Sequence, residues 1–167
     1  MLLVGAPKVG KEELISKVIK NRFQANYKLT VGVDILTKDV EFRPGEIATL
    51  SIWDIGGQQH FEFIRSTFYK GAAGALLVFD LTREQTYTEI RKWLIEMRKF
   101  AGESMPFLLI GNKIHLHDVT NSRINQEEIR EFVRNEGAIY IETRQNSIDI
   151  IEEALRELIH QIIDSRT

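Results

Sequence analysis

The sequence predicts a three-layer α/β fold, in which helices cover both faces of a mostly parallel β-sheet. Short apolar runs alternate along the chain with longer segments of helical period. Most of these runs show little alternation of apolar and polar residues, which is typical of parallel strands buried on both faces. We expect a six-stranded sheet with one antiparallel strand, and about five helices. The predicted strands are Leu2–Gly5, Val33–Phe42, Thr49–Asp54, Ala75–Asp80, Phe107–Gly111 and Ala138–Glu142.

The antiparallel strand is predicted at Val33–Phe42, the one run in which side chains alternate in character. Pro44 and Gly45 follow it, in the order that a type II turn prefers. The next strand, Thr49–Asp54, begins shortly after this turn. We therefore expect a β-hairpin between the two strands.

A long helix is predicted from Thr82 to Gly102. Thr82 and Gln85, three residues apart, form a capping-box pattern, in which each side chain bonds the backbone N–H of the other residue. Gly102 is the predicted end, because glycine adopts the backbone conformation that closes many helices.

Two further helices are predicted in the last third of the chain. Asn125 and Glu128 repeat the capping pattern, and Gly137 marks the end of that helix. The last helix is predicted to start near Ser147, because apolar residues recur there at helical spacing. These residues are Ile148, Ile151, Leu155, Leu158 and Ile162.

Composition bounds the classes of function. The 167 residues fit one domain, residues 1–167, and the net charge of −2 without a basic run argues against nucleic-acid binding. The chain has no cysteine, which excludes disulfides, zinc–thiolate sites and lipid-bearing cysteines within it. The longest apolar stretch, Ala72–Phe79, is too short to span a bilayer, and the start lacks signal-peptide features. We therefore expect a cytoplasmic protein.

A phosphate-binding loop is predicted between the first strand and the first helix. The segment Gly5–Lys11 has the spacing G-x-x-x-x-G-K directly after an apolar strand. Its glycines let backbone N–H groups converge on phosphate oxygens, and the lysine and helix N-terminus add positive charge. The alternative is a glycine-rich turn with an incidental lysine. The candidate phosphate-binding residues are Gly5, Lys8, Val9, Gly10, Lys11 and Glu12.

Glu12 stands where this loop usually has Ser or Thr, whose hydroxyl binds Mg²⁺. A glutamate also offers oxygen to this hard cation, but it is longer and brings a full negative charge beside an anionic ligand. Alternatively, Glu12 pairs with Lys11 or Lys8 and occupies the phosphate site itself. Pro7 stiffens the loop and removes one N–H donor.

Several motifs in one order resemble the Ras superfamily of small GTPases, and most closely its Rab branch. The loop is followed by a switch-like segment, a W-D-x-x-G-Q element and two segments around the central strand. These segments are Thr30–Ile35, Trp53–Gln58, Phe68–Ala72 and Gly74–Thr82. The resemblance covers nearly the whole chain and implies a three-layer P-loop NTPase fold.

The resemblance implies roles for the switch residues in binding GTP or GDP with Mg²⁺. Thr30 and Asp54 would hold the metal, and Thr30 would also sense the γ-phosphate. Gly57 would donate its N–H to that phosphate, and Gln58 would orient the attacking water in slow hydrolysis. The alternative for Gln58 is a solvated loop residue, but its place directly after Asp54–Gly57 makes that the minority reading.

Base recognition is where the sequence departs from the family. Asn112 and Lys113 match the start of N-K-x-D, but His115 replaces the aspartate that reads guanine. A neutral imidazole accepts one hydrogen bond where a carboxylate accepts two, so relaxed base specificity is expected. Gln145 lies in a loop that departs from E-T-S-A-K.

Two aromatic residues complete the implied nucleotide site. Phe23 falls where the family places an aromatic edge against the base, and Tyr27 where a tyrosine covers the phosphates. Their alternative reading is as ordinary core or surface aromatics.

Two classes of function remain open. The first is a Rab-like nucleotide-dependent switch with slow GTP hydrolysis, which binds effector and regulatory proteins through residues 30–35 and 59–68. The second is a pseudo-GTPase, a binding module that keeps the fold but binds nucleotide weakly or not at all. The family reaches membranes through C-terminal cysteines, and this chain shows none. We therefore expect no intrinsic anchor here, and membrane association only through a missing tail or a partner.

Overall fold

The computed structural model describes residues 1–19, 27–28, 33–55, 62–112, 124–144 and 147–167. Within them there are seven strands and five helices, which alternate along the chain except for three consecutive strands after the first helix. The strands are β1 (Leu2–Gly5), β2 (Tyr27–Lys28), β3 (Asp34–Arg43), β4 (Glu46–Asp54), β5 (Ala75–Asp80), β6 (Phe107–Asn112) and β7 (Ile139–Thr143). The helices are α1 (Lys11–Ile19), α2 (Glu62–Tyr69), α3 (Glu84–Ala101), α4 (Gln126–Glu136) and α5 (Ile148–Asp164).

The strands form one sheet in the order β2-β3-β4-β1-β5-β6-β7. β1 lies at its centre, parallel to both β4 and β5. β3 is antiparallel to both of its neighbours, so it is the one strand that runs against the rest. The six predicted strands and the single antiparallel strand are confirmed. The structure adds β2, whose two residues are too few to produce a periodic sequence signal.

The predicted hairpin joins β3 to β4. Arg43 pairs with Glu46 at its end, and Gly45 has φ +78°, as the third position of a type II turn requires. The N–H of Gly45 donates to the carboxylate of Glu41 at 2.9 Å. β4 begins three residues before the predicted Thr49, because strand pairing continues to the turn across a register shift between Glu41 and Arg43.

One helix start differs from the prediction. The residue before α3 is Arg83, which makes no side-chain cap bond, and the helix begins at Glu84. Thr82 does not cap it, because its hydroxyl donates to Asp80 Oδ1 at 2.6 Å. The capping-box prediction at Thr82 is therefore wrong.

The start of α4 and the ends of α3 and α4 follow the prediction. Asn125 Oδ1 accepts the backbone N–H of Glu127 at 2.9 Å and so caps the N-terminus of α4. Gly137 ends α4 in the left-handed conformation, with φ 62°, and Gly102 follows the last residue of α3. α5 begins directly after Ser147, as its apolar period indicated.

The sheet separates two hydrophobic cores, as a three-layer fold requires. One core lies under α2, α3 and α4, and the other under α1 and α5. Along β5, Leu77 and Phe79 point into the first core, while Leu76 and Val78 point into the second. Because both faces are covered, these central strands read as unbroken apolar runs. Among the residues that the structure describes, no helix is long and apolar enough to cross a membrane.

The backbones of β1 and β5 lie very close together at Gly5, which pairs with Val78. A Cβ atom built on Gly5 would lie 2.3 Å from the carbonyl oxygen of Val78 and 3.2 Å from a methyl group of Val9. A backbone oxygen in a parallel sheet cannot move away cheaply, so only glycine fits at the end of β1.

We predict that Gly5→Ala lowers the free energy of unfolding by about 3 kcal/mol, because β1 and β5 must separate. The measurement is urea denaturation followed by circular dichroism. Gly45→Ala is the control, since nothing lies within 4 Å of a Cβ there and only its φ of +78° is unfavourable. It should lower the free energy by about 1 kcal/mol. Equal losses in the two variants would contradict the close approach at Gly5.

Candidate functional site

The candidate site lies at the edge of the sheet where the parallel strands end. β1, β4, β5, β6 and β7 run in the same direction, so their last residues meet at one edge. Open α/β sheets bind their ligands beyond this edge. The residues at these strand ends are Gly5, Asp54, Asp80, Asn112 and Thr143.

The loop between β1 and α1 has the curvature of an anion-binding loop. Lys8 has φ 61°, the only positive φ of a non-glycine residue in the described part of the chain, and Gly10 has φ 89°. Val9 between them is fully buried in the core below and so anchors the loop. Alternation of left- and right-handed residues turns successive N–H groups toward one point, which suits phosphate oxygens.

Lys11 is the most buried cation of this loop, with 8% of its surface exposed. Its Nζ donates to the carbonyl oxygens of Gly5 at 2.7 Å and Ala6 at 3.2 Å. Burial lowers the pKa of Lys11 below its usual value, and the nearby charges of Asp54 and Glu12 partly offset this. The lysine is thus held inside its own loop, within reach of carboxylates of opposite charge.

A cavity of about 330 Å³ opens in front of this loop. Two positively charged residues, Lys8 and Lys11, and two negatively charged residues, Glu12 and Asp54, line it, so their formal charges cancel. Glu12 is exposed in the first turn of α1, whereas Asp54 is 9% exposed at the end of β4. The cavity is lined by Pro7, Lys8, Val9, Gly10, Lys11, Glu12 and Asp54.

The two carboxylates of this cavity fit a hard cation. Within the described ranges, no group of three or more His, Cys, Asp or Glu side chains is placed to hold a metal ion by itself. Mg²⁺ does not need such a group, because it is usually bound by one or two carboxylates together with phosphate oxygens and waters. Asp54 and Glu12 therefore suit Mg²⁺ that arrives with a phosphorylated ligand.

Asn112 joins the phosphate loop to the far strands of the sheet. Its Nδ2 donates to the carbonyl oxygen of Val9 at 2.9 Å, and its Oδ1 accepts the hydroxyl of Thr143 at 2.8 Å. Asn112 and Thr143 are both buried, at 7% and 2% exposure. The ends of β6 and β7 are thereby tied to the loop.

The loop after β7 is closed by a serine. The hydroxyl of Ser147 accepts the N–H of Arg144 at 2.7 Å and donates to the carbonyl oxygen of the same residue at 2.9 Å. This arrangement holds together the described ends of the segment that departs from E-T-S-A-K.

The remaining predicted site residues are not placed by the structure. Tyr27 is described only as backbone, in β2. The others lie outside the described residues, and their predicted roles are untested. They are Phe23, Thr30, Gly57, Gln58, Lys113, His115 and Gln145.

Two residues of the site were not predicted from sequence. Arg83 contacts the carbonyl oxygens of Pro7 and Lys8 on the phosphate loop, at 3.2 and 2.8 Å. Thr143 completes the bond network of Asn112. A usable signal existed for Thr143, which directly follows the predicted strand Ala138–Glu142 at the edge where site residues gather. Arg83 lies three residues beyond the end of β5, and no such signal marked it.

A buried network attaches α2, which belongs to the predicted partner-binding segment, to α3. Arg65 donates to both carboxylate oxygens of Glu96, at 2.8 and 3.0 Å, and the hydroxyl of Tyr69 donates to Glu96 at 2.9 Å. The Arg65 guanidinium also lies 5.2 Å from the centre of the Trp93 ring. Phe63, at the start of the same helix, is 89% exposed.

Comparison with known proteins gives a match along nearly the whole chain. A family model described as the Ras family matches residues 1–164. Ras-related protein RGP2 of Oryza sativa subsp. japonica is 34% identical over 165 residues, which cover 97% of this chain and 73% of that protein.

Two other relatives give the same result. Ras-related protein RABA6a of Arabidopsis thaliana is 36% identical over 169 residues, covering 99% of this chain and 71% of that protein. Ras-related protein Rab-25 of Canis lupus familiaris is 35% identical over 162 residues, covering 97% and 75%. The chain therefore belongs to the Ras family, and these relatives place it in the Rab branch.

Proposed function

We propose that this chain is a Rab-like molecular switch that binds GTP and GDP with Mg²⁺ and slowly hydrolyses GTP to GDP. The observation that carries the proposal is the phosphate loop, in which Lys11 is buried beside Asp54 and the backbone curves around a cavity of about 330 Å³. A buried lysine beside an open cavity supplies positive charge to an anionic ligand that enters it.

The loop binds the phosphates mainly through charge and backbone donors. The N–H groups that follow Pro7 and the N-terminus of α1 attract negative oxygens, and Lys8 and Lys11 add two cations. Pro7 has no N–H, so the orientation of the next residues matters more than in a loop with a full set of donors.

Members of this family use Mg²⁺ with their nucleotide, and we propose Asp54, Glu12 and Thr30 as the residues that would hold it. When bound, the metal neutralises charge on the phosphate oxygens. Glu12 contributes an oxygen of the right hardness, but its full charge also opposes the phosphates. We infer that the metal is more important for nucleotide binding here than in a loop with a hydroxyl at this position.

The hydrolysis residues are proposed from the resemblance. Thr30 and Gly57 contact the γ-phosphate, and Gln58 orients the attacking water. This chemistry depends on positioning and charge more than on covalent steps, so a chain with these three residues hydrolyses slowly until a partner completes the site.

Base selection is proposed to be relaxed. Asn112 braces the loop, and the resemblance implies that Phe23, Lys113 and the backbone at Gln145 would contact the base. His115 offers one acceptor to guanine instead of two, which weakens the discrimination against adenine.

A pseudo-GTPase is the second candidate, and the placement of Glu12 favours it. Its carboxylate lines the cavity that the phosphates would enter. Without a compensating cation, that charge repels the ligand.

Partners are proposed on the switch side of the molecule. Effector and regulatory proteins would bind residues 30–35 and 59–68, where Phe63 offers an exposed aromatic ring. We propose a single domain over residues 1–167 that resides in the cytoplasm and reaches membranes through a partner or tail.

The nucleotide content of the purified protein tests the proposal. We expect denaturation to release guanine nucleotide, identified by anion exchange against standards, at about one per chain. Adenine nucleotides in the mixture would show phosphate binding with lost base selection. An empty site, with no binding of added GDP and Mg²⁺, would contradict the switch and favour the pseudo-GTPase.

We predict that Glu12→Ser strengthens Mg²⁺-dependent GDP binding about tenfold, equivalent to about 1.4 kcal/mol, because it replaces a repelling charge with a neutral hydroxyl ligand. Calorimetric titration at several Mg²⁺ concentrations measures this. Glu13→Ser removes the same charge one residue away, where Glu13 pairs with Lys17 at 2.9 Å, and should have little effect. Unchanged or weaker Mg²⁺ dependence in Glu12→Ser would show that Glu12 is itself the adapted ligand.

We predict that Asn112→Ala releases bound GDP at least about tenfold faster, because the loss of a buried hydrogen-bonding partner costs about 1–3 kcal/mol and loosens the loop at Val9. Release of a fluorescent GDP analogue measures the rate. Thr143→Val is the matched variant, because it removes only the second bond of Asn112 and keeps the one to Val9. If both variants release nucleotide equally fast, the bond to Val9 is not the brace.

A further inference from the structure

Arg83 connects the start of α3 to the phosphate loop. Its guanidinium donates to the carbonyl oxygens of Lys8 at 2.8 Å and Pro7 at 3.2 Å, across 75 and 76 residues of sequence. Its Nε donates to Asp80 Oδ2 at 2.9 Å. One side chain thus links the end of β5 to the two loop residues next to the cavity.

Asp80 gives this link a rigid base. Its side chain is 3% exposed, and Oδ1 accepts both the N–H and the hydroxyl of Thr82, at 2.9 and 2.6 Å. Burial alone would raise the pKa of Asp80, but the hydrogen bonds from Thr82 and Arg83 lower it below its usual value. The carboxylate therefore stays charged at neutral pH and fixes the direction of the Arg83 fork.

Within the described part of the chain, the two loop residues that Arg83 contacts have backbones that few other interactions stabilise. Lys8 holds a left-handed backbone, with φ 61°, which a side chain disfavours. Pro7 offers no N–H to a ligand, so its carbonyl oxygen is the only polar backbone group that can position it. The carbonyl oxygens of both residues carry partial negative charge close to an anion site, and the cation of Arg83 offsets that charge.

We propose that Arg83 is a positioning residue of the phosphate loop: it holds Pro7 and Lys8 in the phosphate-binding conformation by joining their carbonyl oxygens to Asp80. This inference rests on the proposed nucleotide binding and adds a residue to it. Arg83 acts through the loop, since its Nε is bonded to the carboxylate of Asp80 and one terminal nitrogen to the two carbonyl oxygens.

The test compares Arg83→Gln with the natural protein in two assays. The first measures calorimetric binding of inorganic tripolyphosphate, which has no base, and the second measures release of a fluorescent GDP analogue. We expect about tenfold weaker tripolyphosphate binding and about tenfold faster release in Arg83→Gln, because both depend on the same loop. The thermal midpoint of the nucleotide-free protein should fall somewhat, because the 3% exposed side chain of Asp80 loses its cation but keeps the two bonds from Thr82. Both assays are therefore run well below the midpoint of the variant.

Arg91→Gln is the matched control on the same helix. Arg91 is 54% exposed and lies 3.6 Å from Glu128, with no contact to the phosphate loop. It should bind tripolyphosphate and release GDP as the natural protein does. Arg83→Lys keeps the charge but lacks the planar fork that can reach a carboxylate and two carbonyl oxygens together, so an intermediate effect is expected.

Unchanged tripolyphosphate binding in Arg83→Gln would overturn the proposal, as would an equal loss in Arg91→Gln. If Arg83→Gln does not fold, Arg83→Lys decides, and behaviour like that of the natural protein overturns the role. A natural protein that binds tripolyphosphate but no guanine nucleotide would contradict the proposed function. The role of Arg83 would then still be decided by comparing tripolyphosphate binding in Arg83→Gln and in the natural protein. A natural protein that binds neither would contradict both.

Discussion

The position of β1 between β4 and β5 is the constraint on which the candidate site depends. β1 pairs in parallel with both neighbours, and at Gly5 its backbone comes so close to Val78 that no side chain fits. This contact sets where the chain leaves the sheet and enters the phosphate loop. Asp54 then lies on one side of the loop and Asp80 on the other, because each ends a strand paired with β1. The pairing of the strands therefore determines where the site residues lie, and the chemistry of their side chains then determines what they can bind.

The charges around the cavity would make the proposed nucleotide binding a close balance. Lys8 and Lys11 bring two positive charges, and Glu12 and Asp54 cancel them. A polyphosphate therefore meets a pocket without net charge and gains most from directed groups: backbone N–H donors, the start of α1 and any cation that arrives with it. The affinity for a polyphosphate then depends more on the conformation of the loop than on its net charge. The side chains of Asn112 and Arg83, which hold that conformation, are therefore expected to affect the affinity.

Sequence reasoning predicted the parts of the fold that local patterns encode. Strand burial on both faces, the turn at Gly45 and the cap at Asn125 each depend on neighbouring residues, and each is confirmed. The start of α3 was wrong because Asp80, a residue of the preceding strand, takes the hydroxyl of Thr82. β2 was missed because two residues carry no period.

In the candidate site, too, features encoded by local sequence were predicted and long-range contacts were not. The loop spacing and Asn112 could be found because a motif fixes them relative to a strand. The contact of Arg83 with the loop could not, since it joins segments 75 residues apart through one long side chain. The direction of that side chain is set by Asp80, and no local pattern states it. Glu12 was identified as an exception, but whether it helps or hinders a ligand depends on what shares the cavity with it.

The bonds to Glu96 have a mechanical consequence. One carboxylate holds Arg65 and Tyr69, which lie one helical turn apart, so the second half of α2 has a fixed attachment to α3. Phe63 lies in the first turn of α2, and its ring is exposed to solvent. The attachment at Glu96 therefore fixes the middle and the end of α2 against α3, while the ring of Phe63 stays available to other molecules. A partner that covers this ring would meet a helix whose position is already set by α3.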